Sequence, residues 1–331
     1  MPTIAVVNQK GGVGKTTVAL GVASAAVHRG LRVAVVDLDP QANATTGLAV
    51  WDAHATVDKA LEADRPGSVA EILTTSGWPA EVGRPPDVAA SSPYLAQREP
   101  QLANDPVGAQ DRLQTALAGL DHDLVIIDCP PSLGLLTVNG LFAADAALIV
   151  TEPAAWASDG VEQILLTVSR IAARKPGGLA VAGIAVNRLG RTRDARYWHE
   201  QLIETYGDLV FPPVHLRAAV AEAAAQSLPI HGLGHRAGAP EAAAEFDAVL
   251  ERIVPSPVAA PAAIAPPPVP TSFAAPTLAP TAEPGRPVAP PTPRPEPHLS
   301  LTPSVPHPLT SLPMSPSPAA APVGVEPTRG V

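Results

Sequence analysis

The chain has 331 residues, a formal net charge of −9 at pH 7 and one cysteine, Cys129. A single cysteine excludes an intramolecular disulfide and a cysteine zinc site or iron–sulfur cluster held within one chain, and it is typical of a reducing compartment. The part after Val254 has three acidic residues and three arginines. The net negative charge therefore lies in the part of the chain up to Val254. It argues against constitutive, high-affinity binding of that part to nucleic acid.

Proline content divides the chain into two parts. More than half of the 41 prolines follow Val254 in a tract rich in Ala, Ser and Thr, through which neither a helix nor a sheet propagates. We therefore predict a folded domain over residues 1–254 and a disordered proline-rich tail over residues 255–331. No run of about 18 apolar residues predicts a membrane span, and the N-terminus lacks the features of a signal peptide, so we expect a soluble protein.

Short apolar segments alternate with helical segments in the first part. Strands buried on both faces are predicted at 4–7, 33–36, 124–127, 147–150 and 179–186. Helices are predicted at 15–28, 57–63, 69–74, 111–120, 159–173, 194–206, 217–226 and 240–253. Gly30 stands where a helix C-terminal cap is expected. This alternation predicts an α/β fold with a doubly wound, mostly parallel sheet flanked by helices.

A glycine-rich segment directly follows the first predicted strand. It comprises Lys10, Gly11, Gly12, Val13, Gly14, Lys15, Thr16 and Thr17. Glycines let backbone amides turn inward around a phosphate, and the positive end of the next helix points at the same anion. We expect Lys15 to reach the β- and γ-phosphates of a nucleotide and the Thr16 hydroxyl to bind Mg²⁺. The alternative is a chance glycine turn, although strand, loop and helix occur in the order that a phosphate-binding loop (P-loop) requires.

Carboxylates stand at the ends of two predicted strands. Asp37 and Asp39 end the second strand and Asp128 ends the third, which places them at the ligand crevice of a parallel sheet. The segment around Asp128, LVIIDCPPSLG, matches a Walker B strand, and Asp128 is expected to hold Mg²⁺ through a water molecule. The alternative for Asp39 is a strand-end turn stabilised by Pro40. Cys129 has no histidine in the motif to activate it and is interpreted as buried apolar filling.

Together these motifs resemble the ParA family of P-loop ATPases, and the likeness extends over nearly all of residues 2–253. KGGVGKTT carries the early lysine of the signature-lysine group, which includes MinD, and DLDPQAN is similar to switch I of ParA proteins. The resemblance implies ATP and Mg²⁺ as cofactors and a homodimer with ATP sandwiched, in which Lys10 reaches the partner's nucleotide. It also implies that Asp39 orients or deprotonates the attacking water and that Asp37 and Asp39 support the metal. The alternative interpretation of Lys10 is an ordinary surface lysine exposed to solvent.

The resemblance also implies where the adenine base binds. Asn187 ends a predicted strand at the place where ParA proteins contact the base, and its amide can pair with adenine as donor and acceptor. Pro212 is expected to pack near the base. The alternative for Asn187 is a polar turn at the end of the strand.

ParA dimers bind DNA non-specifically through basic residues in the later part of the fold, and the resemblance implies the same for this chain. The candidates are Arg188, which lies in a cluster with Arg191, Arg193 and Arg196, and also Arg217 and Arg236. Contacts to phosphate without base readout, and strong salt dependence, are expected. A solvated surface explains these arginines nearly as well.

The resemblance implies an ATP-dependent dimerising switch for plasmid or chromosome partitioning, located in the cytoplasm and on the nucleoid. The ATP dimer would bind DNA, and a ParB-like partner would stimulate its weak intrinsic hydrolysis. Two other functions fit the same residues. One is an ATPase that positions a protein cargo such as a microcompartment or a chemosensory cluster. The other is a regulatory scaffold whose proline-rich tail recruits a partner. Prolines in place of a basic amphipathic helix at the C-terminus disfavour a membrane partner.

Overall fold

The computed structural model describes residues 2–105, 107–155 and 157–255. The predicted disordered tail lies outside these residues, apart from Pro255. Across the described residues, the strands are β1 (Thr3–Val7), β2 (Val33–Asp37), β3 (Thr74–Thr75), β4 (Asp87–Ala89), β5 (Leu124–Asp128), β6 (Ala146–Thr151) and β7 (Ala180–Val186). They form one sheet in the order β3-β4-β2-β5-β1-β6-β7.

All neighbouring strands are parallel except the edge pair β3 and β4. The strand β1 lies between β5 and β6, so the chain winds outward in both directions from it. This arrangement confirms the predicted doubly wound sheet. It also places the carboxyl ends of β1, β2 and β5 at one edge, where open α/β sheets bind their ligands.

Helices cover both faces of the sheet, as predicted. They are α1 (Lys15–His28), α2 (Asn43–Gly47), α3 (Val57–Ala63), α4 (Leu95–Ala103), α5 (Arg112–Ala116), α6 (Leu135–Ala143), α7 (Ala157–Ala172), α8 (Arg193–Tyr206), α9 (Ala218–Ala225) and α10 (Ala239–Ile253). Short 3₁₀ turns occur at Gly207–Leu209 and Ile230–Leu233. The end of α1 is as expected, because Gly30 follows it at φ +85°, a conformation that favours glycine.

One predicted helix is wrong. Residues 69–74 form turns that lead into the edge strand β3. The amide of Val69 donates to the Ala116 carbonyl across to α5, 3.0 Å away. Gly67 precedes the segment at φ +77°, which breaks helical geometry. The apolar residues there suit a helix as well as a buried turn, so their spacing alone did not distinguish the two.

Successive side chains of the central strands pack alternately into two separate hydrophobic cores, one on each face of the sheet. In β1, Ile4 and Val6 pack with α1 and α10 on one face, while Ala5 and Val7 pack on the other face with apolar residues of α3, α6 and α7. Cys129 is buried in this second core, as the sequence predicts. Among the described residues, no helix is long and apolar enough to span a membrane.

Candidate nucleotide site

The loop between β1 and α1 has the shape of an anion cradle. Gly12 and Gly14 have φ values of +82° and +87°, which only glycine adopts without strain. A Cβ atom on Gly14 would lie 2.1 Å from the Asn187 Nδ2 atom, so no larger residue fits at that position. Helix α1 begins after Gly14 without a side-chain cap. Its first-turn amides are therefore available to an anion.

Lys15 lies inside this cradle. Its side chain is buried, and its Nζ donates to the Lys10 carbonyl at 3.3 Å. Burial lowers the pKa of Lys15, while the nearby carboxylates of Asp128 and Asp39 act in the opposite direction. The ammonium group is thus held between the loop backbone and the carboxylates, where the phosphates of a nucleotide would meet it.

Thr16 and Asp128 form the second part of the site. The Thr16 hydroxyl donates to the Asp128 Oδ2 atom at 2.6 Å. The Asp128 Oδ1 atom is buried and has no hydrogen-bond partner among the described residues. Burial, and then repulsion from Asp37, raise the pKa of Asp128 to about 8. A buried carboxylate with an unsatisfied oxygen beside a hydroxyl is a suitable place for a cation.

Asp37 and Asp39 are both buried but differ in what they bind. Asp37 is opposite Asp128 in the sheet, and it accepts hydrogen bonds from the Thr45 amide and hydroxyl, both at 2.8 Å. It also accepts from the Asp39 amide at 3.1 Å. Burial raises the pKa of Asp37 to about 6. Asp37 therefore anchors the loop after β2.

Asp39 is the less constrained of the two carboxylates. Its Oδ1 accepts from the Gln41 amide at 2.9 Å, and its backbone carbonyl accepts from the Ser91 hydroxyl at 2.7 Å. Its Oδ2 takes no hydrogen bond from the described residues. This free oxygen gives Asp39 an acceptor for a water molecule or another ligand.

The cation-binding groups do not form a protein-only cage. Within the described ranges, no three His, Cys, Asp or Glu side chains converge as metal ligands. Mg²⁺ is commonly bound by one or two carboxylates together with substrate phosphates and water. The pairing of Thr16 with Asp128 fits this mode.

Lys10 does not share the cradle with Lys15. Its side chain is 59% exposed, and its Nζ lies 2.7 Å from a carboxylate oxygen of Glu152, just after β6. The neighbouring Arg188 donates to the Gly12 carbonyl at 3.2 Å. Asn8, at the end of β1, accepts from the Lys10 amide at 2.8 Å. The outer side of the loop is therefore held by residues from three strand ends.

Asn187 is buried beside the loop. Its Nδ2 donates to the Val13 carbonyl at 3.0 Å, and its backbone amide donates to the Thr151 carbonyl at 2.8 Å. In this arrangement Asn187 fastens the P-loop to β6 and β7. Pro212 is exposed on the segment that runs alongside the end of β7.

The predicted DNA-contact arginines differ in their electrostatic surroundings. Arg217 pairs with Glu245 at 2.5 Å, and Arg236 pairs with Glu222. Arg188 is tied to the P-loop. By contrast, three exposed arginines around the start of α8 form no side-chain ion pair or hydrogen bond with the described residues. They are Arg191, Arg193 and Arg196.

Several residues at this edge had no place in the sequence-based site. They are Asn8, Thr45, Ser91 and Glu152. Each contacts a residue far along the chain. Asn8 contacts Val150, Thr45 and Ser91 contact each other, and Glu152 contacts Lys10. The only sequence signal was position, since Asn8 and Glu152 both follow a predicted strand.

Comparison with known proteins identifies the family. A profile of the AAA domain family matches residues 1–181. The chain is 33% identical over 236 residues to sporulation initiation inhibitor protein Soj of Bacillus subtilis. This alignment covers 69% of this chain and 89% of Soj. The chain is 36% identical over 236 residues to chromosome-partitioning ATPase Soj of Thermus thermophilus, with 69% and 87% covered. The chain belongs to the ParA/Soj family of P-loop ATPases.

Solved structures share the fold of this chain. Apo McdA of Cyanothece matches with a TM-score of 0.67 at 22% identity, covering 76% of this chain and 99% of McdA, which supports the fold. Cobyrinic acid a,c-diamide synthase of Mycobacterium smegmatis, solved with an ATP analogue and magnesium, matches with a TM-score of 0.59 at 32% identity. That match covers 68% of this chain and 92% of the synthase.

Proposed function

We propose that this chain hydrolyses ATP in an Mg²⁺-dependent reaction and uses the nucleotide cycle to close and open a homodimer that partitions DNA. The observation that carries this proposal is the meeting of Lys15, Thr16, Asp39 and Asp128 around an uncapped helix start at one sheet edge. A solved relative at 32% identity holds an ATP analogue and magnesium, and relatives that align over most of their length are named chromosome-partitioning proteins. Both support the proposal.

Each residue at the edge has a distinct part in this reaction. Lys15 and the amides at the start of α1 bind the β- and γ-phosphates, and Lys10 reaches the nucleotide of the second subunit. Thr16 and Asp128 hold Mg²⁺, which when bound neutralises charge on the phosphates. Asp39 orients or deprotonates the attacking water through its free oxygen, while Asp37 fixes the loop that carries Asp39.

The proposed contacts to the adenine base come from two residues beside the P-loop. Asn187 is already beside the loop at the Val13 carbonyl, and its amide oxygen remains available to accept from the adenine amino group. Pro212 is exposed on the adjoining segment and offers an apolar surface to the ring. These two residues are our proposed base contacts.

Replacing Asp128 by asparagine is expected to increase stability without metal and to abolish stabilisation by Mg²⁺. The substitution replaces a buried carboxyl, whose ionised form is disfavoured by burial and by Asp37, with a neutral amide. It also removes a cation ligand that can carry a negative charge. A gain of about 1 kcal/mol raises the melting temperature of a domain of this size by roughly 2–4 °C. Thermal unfolding with and without Mg²⁺ measures both effects.

The matched control is Asp52→Asn, because Asp52 is exposed and forms no ion pair within the described residues. This control should leave the Mg²⁺ response unchanged. If Asp128→Asn still showed the full Mg²⁺ response, Asp128 would not be a metal-binding residue.

The DNA-binding part of the proposal is supported by the basic surface at the start of α8. Arg191, Arg193 and Arg196 are exposed there without an acidic partner among the described residues. They can each contact a phosphate at no cost in broken ion pairs. We also propose Arg188, Arg217 and Arg236 as contacts to DNA phosphates. The ion pairs with Glu245 and Glu222 must open before Arg217 and Arg236 bind phosphate.

We therefore expect Arg191→Ala to weaken binding to duplex DNA in the presence of ATP for every sequence tested. Loss of one phosphate contact should reduce the slope of log affinity against log salt by about 1. Arg217→Ala should have a smaller effect. Arg65→Ala, at an exposed arginine next to α3 that pairs with Glu71, is the control for net charge. Equal effects of Arg191→Ala and Arg65→Ala would remove the α8 surface from the proposal.

The wider cycle completes the proposed function. The DNA-bound ATP dimer lies on the nucleoid in the cytoplasm, and a ParB-like partner attached to the cargo stimulates its weak intrinsic hydrolysis. The subunits then separate and leave the DNA. Identifying the protein that accelerates phosphate release from the DNA-bound chain tests this step.

A further inference from the structure

Glu152 lies between two basic side chains at the mouth of the P-loop. One of its carboxylate oxygens is 2.7 Å from the Lys10 Nζ atom, and the other is 3.9 Å from an Nη atom of Arg188. The Glu152 side chain is 26% exposed, against 59% for Lys10 and 52% for Arg188. One carboxylate thus holds a basic residue from the P-loop and another from the end of β7.

The backbone of the loop is fixed independently of this ion pair. Asn8 accepts from the Lys10 amide at 2.8 Å and donates to the Val150 carbonyl at 2.5 Å. Arg188 donates to the Gly12 carbonyl at 3.2 Å. The Lys10 side chain can therefore leave Glu152 while the phosphate cradle keeps its shape.

We propose that Glu152 is an intramolecular latch for Lys10 and that it sets the concentration at which two ATP-bound copies of this chain form a dimer. This inference rests on the proposed function, in which Lys10 reaches the nucleotide of the second subunit. One ammonium group cannot pair with Glu152 and contact the other subunit's nucleotide at the same time. Dimer closure must therefore open one latch in each subunit.

The remaining partner of Glu152 makes the latch reversible. When Lys10 leaves, Arg188 stays beside the Glu152 carboxylate, so the charge keeps a basic neighbour. A partly exposed ion pair changes an equilibrium by about two- to fivefold. Because each dimer opens two latches, their removal should lower the dimer dissociation constant by about four- to twenty-five-fold.

The test measures dimerisation of the full chain by sedimentation, with saturating Mg²⁺ and a non-hydrolysable ATP analogue. Glu152→Gln should lower the dimer dissociation constant by at least about fourfold. Glu162→Gln, an equal charge change on α7 at an exposed residue with no ion pair among the described residues, should leave it unchanged. Affinity of the dilute monomer for the analogue should be the same in all three proteins.

A double-mutant cycle separates the latch from a general charge effect. In a Lys10→Ala background, Glu152→Gln should no longer strengthen the dimer, since there is no lysine to release. An unchanged or weaker dimer for Glu152→Gln alone, or equal strengthening in both backgrounds, would overturn the latch. If neither the wild type nor Glu152→Gln dimerised with the analogue, the proposed homodimer itself would fail, and the latch with it.

Discussion

Lys15→Ala is expected to reduce ATP hydrolysis by at least about a hundredfold, the usual loss when one preorganised charge-stabilising group is removed. The Lys15 ammonium is buried inside the P-loop and hydrogen-bonded to the Lys10 carbonyl. The carboxylates of Asp128 and Asp39 stabilise its charge. Without it, one of the positive groups that balance the phosphate charge is missing from the loop. Steady-state phosphate release at saturating ATP measures the loss.

The control for this change is Lys59→Ala, on the surface of α3, where Lys59 pairs with Glu62. That protein should hydrolyse ATP at the wild-type rate. Circular dichroism of both variants shows whether the fold is intact. Hydrolysis at the normal rate by a folded Lys15→Ala protein would exclude the P-loop as the catalytic site.

Asp39→Ala is expected to stop hydrolysis, with a loss of about a hundredfold or more, while ATP binding and the dimer persist. The substitution removes one side-chain hydrogen bond, from the Gln41 amide to Oδ1, while Oδ2 takes none from the described residues, so it breaks little of the structure. The substitution removes an interaction made with the reacting water and leaves those made with the bound nucleotide. Single-turnover hydrolysis together with analogue affinity distinguishes the two effects.

Asp37→Ala provides the contrast, because Asp37 accepts three hydrogen bonds from Thr45 and Asp39. Its loss leaves buried donors unsatisfied, at about 1–3 kcal/mol each, so a lower melting temperature is expected along with lower activity. Weak ATP binding by Asp39→Ala would contradict the role given to Asp39. It would assign that residue to nucleotide or metal binding instead.

The central strands and the nucleotide edge could be predicted because each depends on a local pattern. β1, β2 and β5 are continuous apolar segments followed by glycines or carboxylates, and parallel packing brings their ends together wherever the helices lie. The short pieces were harder. The edge strand β3 has two residues, and hydrogen bonding to β4 holds it in place without any repeating pattern of its own.

The contacts that decide the behaviour of the site could not be predicted in the same way. Lys10 and Glu152 are 142 positions apart, and Arg217 is 28 positions from Glu245. Sequence identifies these side chains as charged but does not show which opposite charge lies beside each one. That information decides whether Lys10 is free to cross a dimer and whether an arginine is free to bind phosphate.

The most direct test of the account is binding of the full chain to non-specific duplex DNA with ATP, with ADP and without nucleotide, over a series of salt concentrations. We predict binding to DNA with ATP but not with ADP or without nucleotide, and an affinity that falls steeply as the salt concentration rises. Equal binding in all three conditions would contradict a nucleotide-controlled switch. No binding in any condition would contradict the assignment of DNA as its partner.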